Sequence, residues 1–168
     1  TIQTTNSSYA CSHADCSSGL ASGNGDITVA SNIITGAMSD HATLTLSAYR
    51  SIIVNAGITI DATQNSNTKK LNIVLGASNT DAGGIIYLKS GSSIKSNGGY
   101  VVMGGGVDPS TGYAKGLNSD TYNGVSGINT SLATSGVVVY QALITSGVGN
   151  VTINGDGYST TGVGVYFY

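Results

Sequence analysis

The sequence predicts an all-β protein and, within that class, a right-handed parallel β-helix (β-solenoid) of about seven irregular coils. Three observations lead there. The stretch at residues 84–106, GIIYLKSGSSIKSNGGYVVMGGG, recurs at residues 136–157 as GVVVYQALITSGVGNVTINGDG, so that Ile94 matches Ile144, Gly99 matches Gly149, Val101 matches Val151 and Met103 matches Ile153 at an offset of 50. A shorter echo, Gly25-Asp26-Ile27-Thr28-Val29, precedes the copy at Gly99 by 74 residues. Offsets of 50 and 74 are close to two and three times a period of about 25, inside the range of stacked repeats.

Composition is the third observation. The chain is 40% hydrophobic but only 8% charged, with 25 Gly and not one Glu or Trp, so it lacks the residues that fill helix surfaces and is rich in strand and turn formers. Almost no helix is expected. The formal net charge is −2, and Arg50, Lys69, Lys70, Lys89, Lys95 and Lys115 are spread along the chain, so the continuous basic stripe a phosphate backbone requires is missing. Nucleic acid is therefore not an expected partner. No apolar run approaches the ~20 residues of a membrane-spanning helix, so membrane insertion is not expected either.

Residues 1–22 are polar, with a strand around Ile2, and read as a Cys-containing, decorated coil. Cys11 and Cys16 are the only cysteines. An even count at close spacing in a Ser/Thr/Asn/Gly-rich chain reads as one small disulfide made in an oxidising compartment. The rival reading, Cys11, His13, Asp15 and Cys16 as metal ligands, lacks the second ligand pair of a zinc site, so no metal is expected.

The shaft is expected over residues 23–168. Ile27 and Val29 alternate with polar neighbours at the period of a half-buried strand, and Ile33 and Ile34 continue them. Leu44 and Leu46, Ile52 and Val54, and Ile58 and Ile60 form three strands in under twenty residues. That leaves no room for antiparallel hairpins with ordinary loops, which disfavours a β-sandwich and fits three successive faces of one coil. Residues 61–70 form a polar loop expected to project, and Leu71, Ile73 and Leu75 start the next coil. Residues 104–127 hold the only proline, Pro109, and no alternating apolar run, so they read as an excursion from the shaft. Ile128, Leu132 and the valines at 137–139 resume it. In this reading Ile94 lies two layers from Ile144, residues 124–132 supply the coil between them, and glycines 25, 99 and 149 take positive φ at corners.

At this point a resemblance becomes specific. The runs GDITV, ATLTLSAYRSIIVNAGITI, KLNIVLGAS, GGIIYLKSGSSIKSNGGYVVMGGG and GNVTINGDG, in that order, resemble the degenerate repeats of the filamentous-haemagglutinin-like exoproteins, which include the high-molecular-weight adhesins and are exported by bacterial two-partner secretion. The resemblance covers roughly residues 23–166. It implies a right-handed β-helix shaft, a secreted or cell-surface location, and a role in adhesion, filaments or biofilm matrix, with a host-cell or matrix glycan or protein as receptor.

The residues themselves offer little for catalysis. A polysaccharide lyase or hydrolase is the alternative use of such a fold, and it needs paired carboxylates or a metal-binding cluster on one face. The eight carboxylates are all Asp, at 15, 26, 40, 61, 81, 108, 120 and 156, each isolated, and most read as solvated turn residues. His41 beside Asp40 lacks a serine in a nucleophile elbow. No catalytic residue and no cofactor is expected. Ranks of outward threonine at one coil position, as ice binding requires, are not seen for Thr43, Thr45, Thr59, Thr145 and Thr152.

Ten Tyr stand against one Phe, and tyrosine offers an apolar ring with a polar tip. Tyr87, Tyr100 and Tyr140 read as half-exposed strand residues, while Tyr113 and Tyr122, with Lys115, form the candidate contact surface on the excursion. Asn6, Asn129 and Asn150 head N-x-Ser/Thr triplets and are candidate glycosylation sites. Finally, the sequence begins without Met and stops within a strand pattern. Written with Tyr168 before Thr1, the junction GVGVYFYTIQTTNSSYAC can be laid over GVVVYQALITSGVGNVTI, so that Val165 matches Val139, Tyr166 matches Tyr140 and Ile2 matches Ile144. Head-to-tail continuation through Thr1, Ile2, Val165, Tyr166, Phe167 and Tyr168 is expected, in a covalent tandem array or by stacking of copies into a fibre.

Overall fold

A computed structural model describes residues 1–4, 25–64, 68–79, 83–117, 130–159 and 162–168. The described chain is all-β, with one helix, α1 (Thr130–Ala133), among the described residues. No described helix is long and apolar enough to cross a membrane.

Three stacked sheets of parallel strands make up the body. Sheet I holds β1 (Ile2–Gln3), β4 (Ala42–Ser47), β7 (Leu71–Ala77), β10 (Val101–Gly105) and β14 (Val151–Ile153), in that spatial order. Sheet II holds β2 (Ile27–Val29), β5 (Ile52–Val54), β8 (Ile86–Leu88), β12 (Val137–Val139) and β16 (Val165–Phe167). Sheet III holds β3 (Ile33–Ile34), β6 (Thr59–Asp61), β9 (Ser93–Lys95) and β13 (Leu143–Thr145). Along the chain the strands fall to sheets I, II and III in turn, and each sheet's spatial order follows the sequence. A minor fourth ladder pairs β11 (Ala114–Lys115) with β15 (Gly155–Asp156).

Register turns the repeat into columns of like side chains. Ile33, Ile60, Ile94 and Ile144 occupy one column of sheet III. Ile2, Leu46, Leu75, Met103 and Ile153 form one in sheet I, and Ile27, Ile52, Ile86, Val137 and Val165 one in sheet II. Apart from those near the ends of the stack, these side chains are fully buried in a single apolar cluster. Parallel strands about 4.8 Å apart place each β-branched side chain on the one below, so the column packs at the density of a protein interior.

This register corrects the expected spacing. Ile94 and Ile144 are partners on adjacent strands, not two layers apart, so the offset of 50 is one passage of the chain. Neighbouring passages vary in length, from an offset of 25 residues from Ile27 to Ile52 to one of 51 from Ile86 to Val137. Among the described residues no sheet has more than five strands, against the seven coils expected. The echo at Gly25 also belongs elsewhere: β2 lies in sheet II, whereas the strand after Gly99 lies in sheet I. Three alternating residues fit any wall, so the short motif did not fix which one.

The excursion accounts for the long passage. β10 continues through Gly105, so the chain leaves sheet I only after it. It folds back at once: Gly112 carbonyl accepts the Gly105 N–H at 3.2 Å, and Asn154 Nδ2 donates to the carbonyls of Pro109 and Ser110 at 3.2 and 2.9 Å. A Cβ on Gly76 would fall 2.7 Å from Pro109 Cγ, and one on Gly104 would strike the Pro109 carbonyl, so both sites require glycine for close approach. Further on, Leu117 and Leu132 pack on Ile53, Ile85, Tyr87 and Val138, a second apolar cluster on the outward face of sheet II. Leu132 thus lies in α1 over that face rather than in a regular coil. Burial on both faces explains why β5, β8 and β12 read Ile-Ile-Val, Ile-Tyr-Leu and Val-Val-Val without alternation, while β7 alternates along its first half.

The corners differ from expectation in one respect. Gly25 has φ of +76°, as foreseen, but at the other two corners the positive φ belongs to Gly98 and Gly147. Gly99 and Gly149 are required for another reason: a Cβ on either would overlap backbone of the adjacent strand turn, at Leu71 and at Gly99 respectively.

Candidate functional site

The excursion offers the exposed surface foreseen from sequence only in part. Tyr113 is 53% exposed and Val107 is 98% exposed, so the fold-back presents an aromatic and an aliphatic side chain to solvent. Lys115 is half-buried in β11, where its backbone bonds both ways with Gly84 at 2.9 and 3.0 Å. Tyr122 and Asn129 lie outside the described residues, as do Asn6, Cys11 and Cys16. Asn150 is exposed at the head of β14, and its carbonyl accepts the Val101 N–H at 2.9 Å.

The three strand tyrosines do not form one class. Tyr87 is buried beneath the excursion, and burial, reinforced by the nearby Tyr140, raises its phenol pKa. Tyr100 is 41% exposed on the outer face of sheet I, where Asn72 Oδ1 accepts its backbone N–H at 3.2 Å. Tyr140 stacks on Tyr168 with ring centroids 4.9 Å apart and planes 5° apart, and Tyr166 lies 6.5 Å from Tyr168 at 4°. Sequence reading placed these rings in strands but had no signal for the stack. It arises because residues 140 and 168 follow Val139 and Phe167, which are partners on neighbouring strands.

The aspartates are structural in two cases where the sequence suggested solvated turns. Asp26 accepts from Arg50 Nε at 2.8 Å and from the Ser51 N–H at 3.0 Å, making an ion pair shielded at the start of sheet II. Asp61 does not project with a loop; it closes β6, and its side chain is 2% exposed. Burial pushes its carboxyl up, but bonds from the Thr63 hydroxyl at 2.6 Å, Gln64 at 3.0 Å, the Thr63 N–H at 2.7 Å and Lys95 Nζ at 3.2 Å outweigh it and hold the pKa at about 2. Asp108 and Asp40 are exposed and bond locally: Ser110 donates twice to Asp108, holding its pKa low, and Asp40 accepts the His41 N–H at 2.7 Å. His41 Nδ1 accepts the Lys70 N–H at 2.9 Å, so this imidazole spans β4 and β7 as a backbone cap. Among the described residues, no three His, Cys, Asp or Glu side chains gather as metal ligands would.

The head-to-tail overlay is corrected in register. Val165 pairs with Val137 rather than matching Val139, and Ile2 sits beside Leu46 in sheet I, not in the sheet of Ile144. The overlay aligned apolar letters: a slip of two residues preserves every inward and outward position, which accounts for Val165, and apolar alternation does not say which sheet a strand joins, which accounts for Ile2.

No family model matches the chain, and no curated protein and no solved structure matches it.

Proposed function

We propose that this chain is a non-enzymatic structural segment of an extracellular bacterial adhesin or filament, a closed right-handed parallel β-helix whose coils form a stiff shaft. One observation carries the reading: strands fall to sheets I, II and III in turn, and every ladder of those sheets is parallel. Parallel strands joined by short crossovers of a single sense wind into a helix, and crossovers of this kind are right-handed in nearly all sheets. The order of the five sequence motifs and the Ser/Thr/Asn/Gly-rich, charge-poor composition support a secreted, cell-surface setting.

Employment of Asp26 and Asp61 in holding corners together favours the shaft over a polysaccharide-processing enzyme, which would keep such carboxylates free in a groove. The contact surface of the shaft is the excursion, with Tyr113 and Lys115 on its described part and Tyr122 beyond, facing a glycan or protein of a host cell or matrix. Copies of the chain continue the shaft head to tail.

The test is binding of the purified chain to epithelial cells and to matrix-coated surfaces, wild type against a Tyr113→Ala/Lys115→Ala/Tyr122→Ala variant. Loss of binding with an unchanged far-UV circular dichroism spectrum supports the assignment; unchanged binding removes it. Hydrolysis or eliminative cleavage of a polysaccharide by the wild-type chain would replace the shaft reading with the enzyme.

A further inference from the structure

The two ends of the strand stack are complementary to each other. At one end lie β1, β2 and β3, and at the other β14, β16 and β13, each with a ladder partner on one side only among the described residues. Inward columns are apolar at both ends: Ile2 opens the column that Ile153 closes, Ile27 the one that Val165 closes, Val29 the one that Phe167 closes, and Ile33 the one that Ile144 closes. Of the inward side chains, Ile2 is 55% exposed on the first strands, and Val151 at 44% and Phe167 at 63% are exposed on the last. A sheet edge of this kind is a template for another strand.

We propose that the edge formed by β14 and β16 is a self-association surface, and that its occupant is the edge formed by β1 and β2 of a second copy, stacked head to tail. The proposal rests on the shaft reading and specifies its joint. Polarity decides the partner. Copies related by translation along the stack set sheet I on sheet I and sheet II on sheet II with strands parallel, so that Ile2 extends the column of Ile153, and Ile27 and Val29 extend those of Val165 and Phe167. A head-to-head pair related by a two-fold axis aligns at most one sheet with itself and sets the other two on each other antiparallel, which breaks the columns. The joint is distinguishable from an internal passage, because sheet III has four strands where sheets I and II have five. Seating β1 on β14 and β2 on β16 leaves a slot one strand deep between β13 and β3 of the second copy. Since the contact is heterologous and does not close, it grows linearly.

Sedimentation velocity over a hundredfold range of concentration tests this with two double variants. Val151→Lys/Phe167→Lys places charge on one edge and leaves the other intact, while Ile2→Lys/Thr28→Lys does the reverse; inward or edge lysines are how natural sheets block strand addition. The wild-type chain is expected to form a concentration-dependent ladder of species. Each variant alone stays monomeric, and an equimolar mixture stops at dimers, because only one complementary pair of edges remains. A wild-type chain that sediments as a monomer throughout, or either variant dimerising by itself, overturns the proposal. An experimental structure of the monomer separates this failure from that of the shaft reading: closed coils in a non-associating chain keep the shaft and discard the joint, whereas an open sandwich discards both.

Discussion

Ile94 and Ile144 are direct partners on β9 and β13, with the 49 residues between them spent on one passage through all three sheets and an outward excursion. Their contact is one of three ladders, with β8 on β12 and β10 on β14, along which the two copies of the longest sequence repeat meet.

Replacing Ile94 with Ala leaves a cavity inside the stack, since the side chain is fully buried between Ile60 and Ile144. A loss of about 2–5 kcal/mol is expected by urea denaturation. Ile144→Ala costs less, because that side chain is only partly buried. A double-mutant cycle should give a coupling above ~0.5 kcal/mol, the signature of residues in contact; strict additivity would place the two on separate layers.

Asp61 makes stability depend on acid. Its folded pKa of about 2 lies below the ordinary value of 3.8, so the stabilisation is fully present above pH 4 and is lost as pH falls through 2. With a side chain only 2% exposed, the contribution is on the order of 2 kcal/mol. Denaturation midpoints measured from pH 6 to pH 2 should fall for the wild type and fall less steeply for Asp61→Asn, which starts lower.

Glycines divide by what a methyl group would meet. Gly99→Ala sets a Cβ against the Leu71 carbonyl, and Gly149→Ala sets one against Gly99, both backbone contacts that cannot turn away. Each should lower the thermal midpoint strongly or abolish folding. Gly36→Ala meets no atom within 4 Å at a φ outside the positive region, and is expected to be neutral or to stabilise by about 0.4–1 kcal/mol. Equal effects at all three positions would contradict the register of sheet I.

The stacked pair Tyr140 and Tyr168 should be visible in solution. Tyr168→Ala is expected to change the near-UV circular dichroism of the tyrosines and to cost about 0.5–1.5 kcal/mol. An identical near-UV spectrum would mean the rings do not stack.

The sequence by itself determined the class. Scarcity of charge, absence of Glu and abundance of Gly, Ser, Thr and Val exclude a helical body, and three alternating segments between Leu44 and Ile60 leave only successive walls of one passage, where β4, β5 and β6 lie. Local pattern was enough because a strand's period of two and its turns are set by neighbours in the chain. Tertiary structure alone decided which strand lies on which. The pairing of Ile94 with Ile144, the transfer of Asp61 from loop to core, and the cover that Leu117 and Leu132 lay over Tyr87 all join residues 30 or more positions apart. The physical reason is that a ladder of parallel strands accepts any apolar side chain at an inward position. Register and layer order therefore follow from how much chain each excursion consumes and where it packs back, and neither is written in the alternation of the strands.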